Sequence, residues 1–232
     1  MDIKEINIVP TVMPEDHQDF VEKINRVAKF VSTIQIDVMD GRFVPSKSWP
    51  YKKKKDLEWQ KYLNQDRGLP HWKDVDFEVD LMVTDQVGQA EKWIDAGVMR
   101  IIAHFEALQD GHFEKLCALC NERNTELYLA LVPKTPNEVL TPYLDKIDGV
   151  QFMGINRIGY QGQEFAKEVL VKIAELRELK PEFPISVDGG VSFDTVNRLV
   201  KAGAVSLASG SVIFKSIDPG KTIKELKEVA SE

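Results

Sequence analysis

Residues able to do chemistry gather where short apolar runs end. Gln35 and Asp37, Asp80, His104 with Glu106, and Asp188 all stand at or near such ends. Residues two apart on a strand share a face, so Gln35 and Asp37 are expected to point the same way. A carboxylate placed inside a fold is costly unless it is paired, hydrogen-bonded or bound to a cation. Several of them converging therefore predict a site for acid–base or metal chemistry. Glycine supplies a second set: Gly159-Tyr160-Gln161-Gly162-Gln163, Asp188-Gly189-Gly190 and Ser209-Gly210-Ser211. Loops of this kind expose backbone amides, and such amides cradle phosphate.

The elements that must position these residues follow an alternating pattern. Runs at Ile3–Val9, Ile34–Val38, Phe77–Val83, Arg100–His104, Glu126–Val132, Gly149–Met153, Pro184–Val187 and Val205–Ala208 read as strands. Helical patterns fall near Glu15–Phe30, Gln86–Asp95, His112–Asn121, Asn137–Asp145, Glu164–Glu178, Phe193–Lys201 and Thr222–Ala230. Asp16, Pro136 and Ser192 suit helix starts, and Gly97 and Gly203 suit left-handed helix stops. Eight strands with intervening helices predict a closed (β/α)8 TIM barrel. An open, doubly wound sheet would want a glycine-rich turn after the first strand, where Val-Pro-Thr-Val-Met-Pro stands instead. A single domain over 1–232 is expected, with an extended connection around 46–76 holding Lys52–Lys55 and three tryptophans, Trp49, Trp59 and Trp72. That stretch reads as a helix with an inserted, surface-exposed loop.

Composition narrows the function classes. In 232 residues, 43% are hydrophobic and 29% charged, an ordinary globular balance. The net charge of -7 disfavours nucleic acid as a partner. No apolar run approaches the ~18–20 residues of a membrane helix. The opening residues lack the layout of a signal peptide, so a cytoplasmic, reduced protein is expected. Cys117 and Cys120 form a CxxC late in a predicted helix, which argues against redox or zinc chemistry. His17, His71 and His112 read as surface residues.

Ile36-Asp37-Val38-Met39-Asp40-Gly41-Arg42-Phe43-Val44-Pro45 resembles the second-strand signature of the ribulose-phosphate 3-epimerase family. The likeness continues in order through Leu81-Met82-Val83, His104-Phe105-Glu106-Ala107, Pro133-Lys134-Thr135-Pro136, Met153-Gly154-Ile155-Asn156, Val187-Asp188-Gly189-Gly190-Val191 and Gly210-Ser211-Val212-Ile213-Phe214. It implies a barrel of the ribulose-phosphate-binding type and a place in pentose phosphate metabolism. The implied activity inverts carbon 3 of a ketose phosphate, D-ribulose 5-phosphate to D-xylulose 5-phosphate, through an enediolate. By the same resemblance Asp37 and Asp188 are the acid–base pair, and Met39, Met82 and Met153 line the wall near the reacting carbons. Thr11 falls where the family has a substrate-touching serine. Gly159, Gly162, Gln163, Gly189, Gly190, Gly210 and Ser211 would hold the phosphate. A homo-oligomer is implied, with a phosphosugar as the small-molecule partner.

Two departures qualify that reading. The family's metal ligands are two histidines and two aspartates, and here Gln35 and Asp80 stand at the histidine positions. Gln35, Asp37, Asp80 and Asp188 form an oxygen-only set that favours magnesium or manganese over zinc or iron, or leaves the site without a tightly held ion. Three carboxylates around a dication would also leave the site at net -1. The first glycine loop departs as well, reading Asn156-Arg157-Ile158-Gly159 instead of Asn-Pro-Gly. A noncatalytic phosphosugar-binding protein and an epimerase for another ketose phosphate stay open as alternatives. Aldol or decarboxylation chemistry on this fold needs a lysine in an Asp-x-Lys-x-x-Asp element, and Val38-Met39-Asp40-Gly41 follows Asp37 instead.

Overall fold

The structure of the protein, a computed structural model, describes residues 6–232. Its strands are β1 (Asn7–Val12), β2 (Thr33–Met39), β3 (Asp76–Met82), β4 (Arg100–His104), β5 (Glu126–Leu131), β6 (Gly149–Met153), β7 (Ile185–Asp188) and β8 (Ser206–Ser209). They hydrogen-bond in chain order into a closed barrel. The helices are α1 (His17–Val27), α2 (Leu57–Leu63), α3 (Gln86–Asp95), α4 (His112–Arg123), α5 (Glu168–Leu179), α6 (Val196–Ala202), α7 (Ser211–Phe214) and α8 (Pro219–Ala230).

The predicted alternation is the observed one. The bounds of β4, β6 and α3 fall where the pattern placed them, and the other shared elements move by a few residues. Of the first predicted strand, Ile3–Glu5 lies outside the described residues, and β1 runs on to Val12. The helix expected over Asn137–Asp145 is only a 3-10 turn, Asn137–Leu140, followed by further turns. Pro142 supplies no N–H to continue the ladder. At the start of α1, Asp16 accepts from the Asp19 amide at 3.0 Å, and Gly97 and Gly203 take positive φ of 101° and 120°.

Contacts divide the chain into two compact units, one of Thr11–Tyr128 and the other of Leu129–Glu232 with the described residues up to Pro10. In the first, β2 and β3 pair in register, Asp37 against Asp80 and Met39 against Met82. Ile34, Ile36 and Val38 alternate with Gln35 and Asp37, as Val79 and Leu81 alternate with Glu78 and Asp80, and all are buried. Parallel strands covered on both faces usually read as continuous apolar runs. Here one face is polar, and that polarity is what made the strands legible. In the second unit, Met153 of β6 pairs with Asp188 of β7, which pairs with Ala208 of β8. Their apolar faces pack with buried Val169, Ile173, Leu199 and Leu226 of the helices.

The 46–76 connection holds the expected helix, α2, and its stretches 52–55, 64–68 and 71–74 are exposed, but it also carries a satellite core. Trp49 stacks on Phe20 at 4.8 Å, Trp59 meets Trp93 at 4.4 Å, and the Trp93 indole donates to the Tyr51 hydroxyl. Trp49, Trp59, Tyr62 and Leu69 are buried, while Trp72 stays 60% exposed. His17, expected at the surface, is half-buried beside Trp49 and bonds the Tyr62 hydroxyl at 2.9 Å. The lysine run does stay in solvent, ahead of α2, whose cap Asp56 accepts from Glu58 and Trp59. Trp59→Ala is therefore expected to cost ~3–5 kcal/mol in chemical denaturation, against less than about 0.5 kcal/mol for Trp72→Ala. Equal effects would mean that the cluster is not a core.

Candidate active site

Within Thr11–Tyr128 the polar residues stand at the carboxyl ends of β2, β3 and β4. Gln35 and Asp37 do share a face, and the Gln35 amide nitrogen donates to Asp37 Oδ1 at 2.8 Å. The other Gln35 amide atom, Oε1, is buried with no hydrogen-bond partner. Ser48 closes the end of the strand, donating to the Asp37 carbonyl and accepting from the Met39 amide, each at 3.1 Å. Thr11 is buried on β1 in register with Gln35. Met39 and Met82 lie one step beyond the aspartates, both fully buried.

Asp80 faces His104 on the neighbouring strand. Both are wholly buried, and His104 Nε2 lies 2.8 Å from Asp80 Oδ1. Burial alone would push the imidazole pKa down, but the adjoining Asp80 carboxylate, with Glu106 behind it, raises it to about 10. The Asp80 contact thus favours the charged form of the imidazole. Gln86 of α3 donates to the His104 carbonyl at 2.9 Å, and Phe43 lies against the ring at 5.3 Å.

Toward the other ends of the same strands lies a network the sequence reading missed. Arg100 binds buried Glu78 and half-exposed Glu126, and sits 4.3 Å over the Tyr128 ring. Burial raises the Glu78 pKa, and Arg100 opposes that rise. The spacing of Glu78 two residues before Asp80 was the available signal.

In the second unit the glycine loops sit after β6, β7 and β8, as expected. Asp188 is buried at the end of β7 beside Met153. Its carbonyl accepts from the Gly154 amide at 2.7 Å, tying the β6 and β7 loops together. A side chain at Gly154 would collide with the Gly189 carbonyl. Gly190 has φ +68°, and a Cβ there would press on Phe165 and the Gly154 carbonyl. Thr195 accepts from the Ser192 amide and donates to the Gly190 carbonyl at 2.6 Å, stapling that loop. Gly159 and Gly162 also take positive φ, and Gly210 with Ser211 leads into α7. Arg157 stacks over Tyr160 at 4.3 Å within its own loop. Gly154→Ala should cost ~1–3 kcal/mol of stability in urea titration, because the opposing atom is backbone and cannot turn aside. A neutral change would show that the two loops have slack.

Asp37 and Asp80, in register on β2 and β3, and Asp188 at the end of β7 each offer a carboxylate oxygen. The orphaned Gln35 oxygen completes a set of hard donors that fits a divalent ion such as magnesium or manganese. Cys117 and Cys120, by contrast, lie within α4, with Cys120 in its buried face.

A closed parallel barrel with buried carboxylates at the carboxyl ends of its strands defines the (β/α)8 class. The Ribulose-phosphate 3 epimerase family model matches residues 7–214. Ribulose-phosphate 3-epimerases of Schizosaccharomyces pombe and Bacillus subtilis are each 29% identical to this chain, covering 95% and 96% of it and 92% and 98% of themselves. The chain belongs to that family and is an epimerase-like enzyme. A KGPDC from Streptococcus mutans superposes with a TM-score of 0.73 at 14% identity, covering 97% of each chain. A 3-hexulose-6-phosphate synthase from Salmonella typhimurium superposes at 0.70 and 14% identity, covering 97% of this chain and 99% of its own. These two share the fold. Among the described residues no helix is long and apolar enough to cross a membrane.

Proposed function

We propose that the protein interconverts D-ribulose 5-phosphate and D-xylulose 5-phosphate, with Asp37 and Asp188 as the acid–base pair. The observation that carries this reading is the burial of three carboxylates, Asp37, Asp80 and Asp188, at the ends of β2, β3 and β7. One aspartate enters as carboxylate and takes the proton from carbon 3. The C–H electron pair becomes the C2–C3 double bond, and the carbonyl π pair moves onto the carbonyl oxygen, giving an enediolate. The other aspartate enters as carboxylic acid and returns a proton to carbon 3 from the opposite face, so the pair exchanges roles in the reverse direction. Buried Met39, Met82 and Met153 would exclude water from the reacting carbons. The amides around Gly159, Gly162, Gln163, Gly189, Gly190, Gly210 and Ser211 would hold the phosphate, and Thr11 a substrate hydroxyl.

Gln35, Asp37, Asp80 and Asp188 would hold the divalent ion, with magnesium or manganese favoured by the all-oxygen set. When bound, such an ion supplies Lewis-acid polarisation of the carbonyl. A homo-oligomer in the cytoplasm completes the reading.

The test is deuterium wash-in at carbon 3. The protein is incubated in heavy water with D-ribulose 5-phosphate, with and without magnesium, manganese or zinc, and followed by NMR. Exchange that rises with magnesium or manganese is the expected result. No exchange with any metal, in folded protein, would reject the activity and leave another ketose phosphate or phosphosugar binding without turnover.

A further inference from the structure

We propose that His104 is a positioning residue: its Nε2–H holds one oxygen of Asp80, so that this carboxylate can take the place of an imidazole ligand. The inference rests on the metal reading above and extends it to a residue outside the donor set.

The geometry is specific. Asp80 pairs in register with Ile102, so His104, two residues further along β4, lies diagonally ahead of it on the same face. A carboxylate is shorter than an imidazole and has two equivalent oxygens, so an unrestrained Asp80 could bind an ion through either or both. The 2.8 Å contact commits Oδ1 to His104. The histidine is itself restrained. Gln86 holds its carbonyl at 2.9 Å, and Phe43 packs 5.3 Å from its ring centre. Its other nitrogen, Nδ1, has no hydrogen-bond partner, with the Glu106 carboxylate 3.9 Å away. The contact with Asp80 is therefore the close polar contact that aims the ring.

As a device for stability the pair makes little sense. Both groups are fully removed from water, and replacing both partners of a buried hydrogen bond by apolar groups of the same shape can be nearly neutral or stabilising. Orienting a ligand is a better account, and groups in that role typically change metal affinity by 10–100-fold. Gln35 repeats the arrangement one strand away. Its nitrogen holds Asp37 Oδ1 at 2.8 Å while its oxygen is left without a partner. Each of these two aspartates thus has one oxygen held by a neighbouring side-chain N–H.

The experiment measures Mn2+ affinity by electron paramagnetic resonance without substrate, with the unfolding temperature recorded alongside. His104→Asn, whose amide is too short to reach Asp80, should weaken Mn2+ binding by about 10–100-fold. His104→Gln, which places an N–H near the Nε2 position, should restore affinity to within about threefold of the parent. In an Asp80→Asn background, His104→Asn should change affinity no further, because the interaction it disrupts is already lost. Parent-like affinity in His104→Asn, or additive losses in the double variant, would overturn the proposal and leave the metal reading standing. Failure of His104→Gln to restore affinity, in protein unfolding at the parent temperature, would also overturn it. If the unsubstituted protein binds no Mn2+, the metal reading falls and the proposal with it.

Discussion

Asp188→Asn is expected to lower carbon-3 exchange by about 10²–10⁴-fold, the usual contribution of a positioned acid or base. Asparagine keeps the shape of the side chain and can neither take up the proton nor return it. The backbone role of residue 188, its carbonyl accepting from Gly154 at 2.7 Å, is untouched by the change. The β6 and β7 loops should then keep their arrangement, and inorganic phosphate should bind as tightly as before. Wash-in rate and phosphate affinity, measured on one preparation, separate the chemistry from the cradle. Exchange surviving at parental rate would remove Asp188 from the pair. Joint loss of exchange and phosphate affinity would mean that the substitution had disturbed the loops.

Gln35→His with Asp80→His should reorder the metals. Two imidazoles in place of an amide oxygen and a carboxylate make a softer, less anionic donor set, and nitrogen ligands favour zinc over magnesium and manganese. Protein stripped with chelator and titrated with each ion should show zinc gaining on manganese by more than about tenfold relative to the parent. The position of Asp80 makes this a demanding test, because His104 faces it at 2.8 Å and must accommodate a ring where a carboxylate stood. An unchanged order of affinities would show that Gln35 and Asp80 do not contribute ligands.

The barrel was legible because its strands advertise themselves. Polar residues on one face and apolar residues on the other give a period of two, as in Gln35-Ile36-Asp37 and Glu78-Val79-Asp80. The apolar spacing that predicts a helix over 137–145 continues past Pro142, where the backbone pattern does not. The three tryptophans of the 46–76 connection looked like an exposed insertion, since sequence neighbours say nothing about Phe20 and Trp93, which cover two of them from α1 and α3.

By itself, the order of short motifs determined the family, the barrel and the identity of the carboxylates, because those depend on residue type and local spacing. Only the tertiary structure decided how the changed residues are used. Asp80 and His104 are 24 positions apart and meet through the register of β3 with β4. Their encounter sets a fully buried histidine against a fully buried carboxylate and raises the imidazole pKa. Such a pairing depends on distance and burial across neighbouring strands, and no spacing along one strand encodes either.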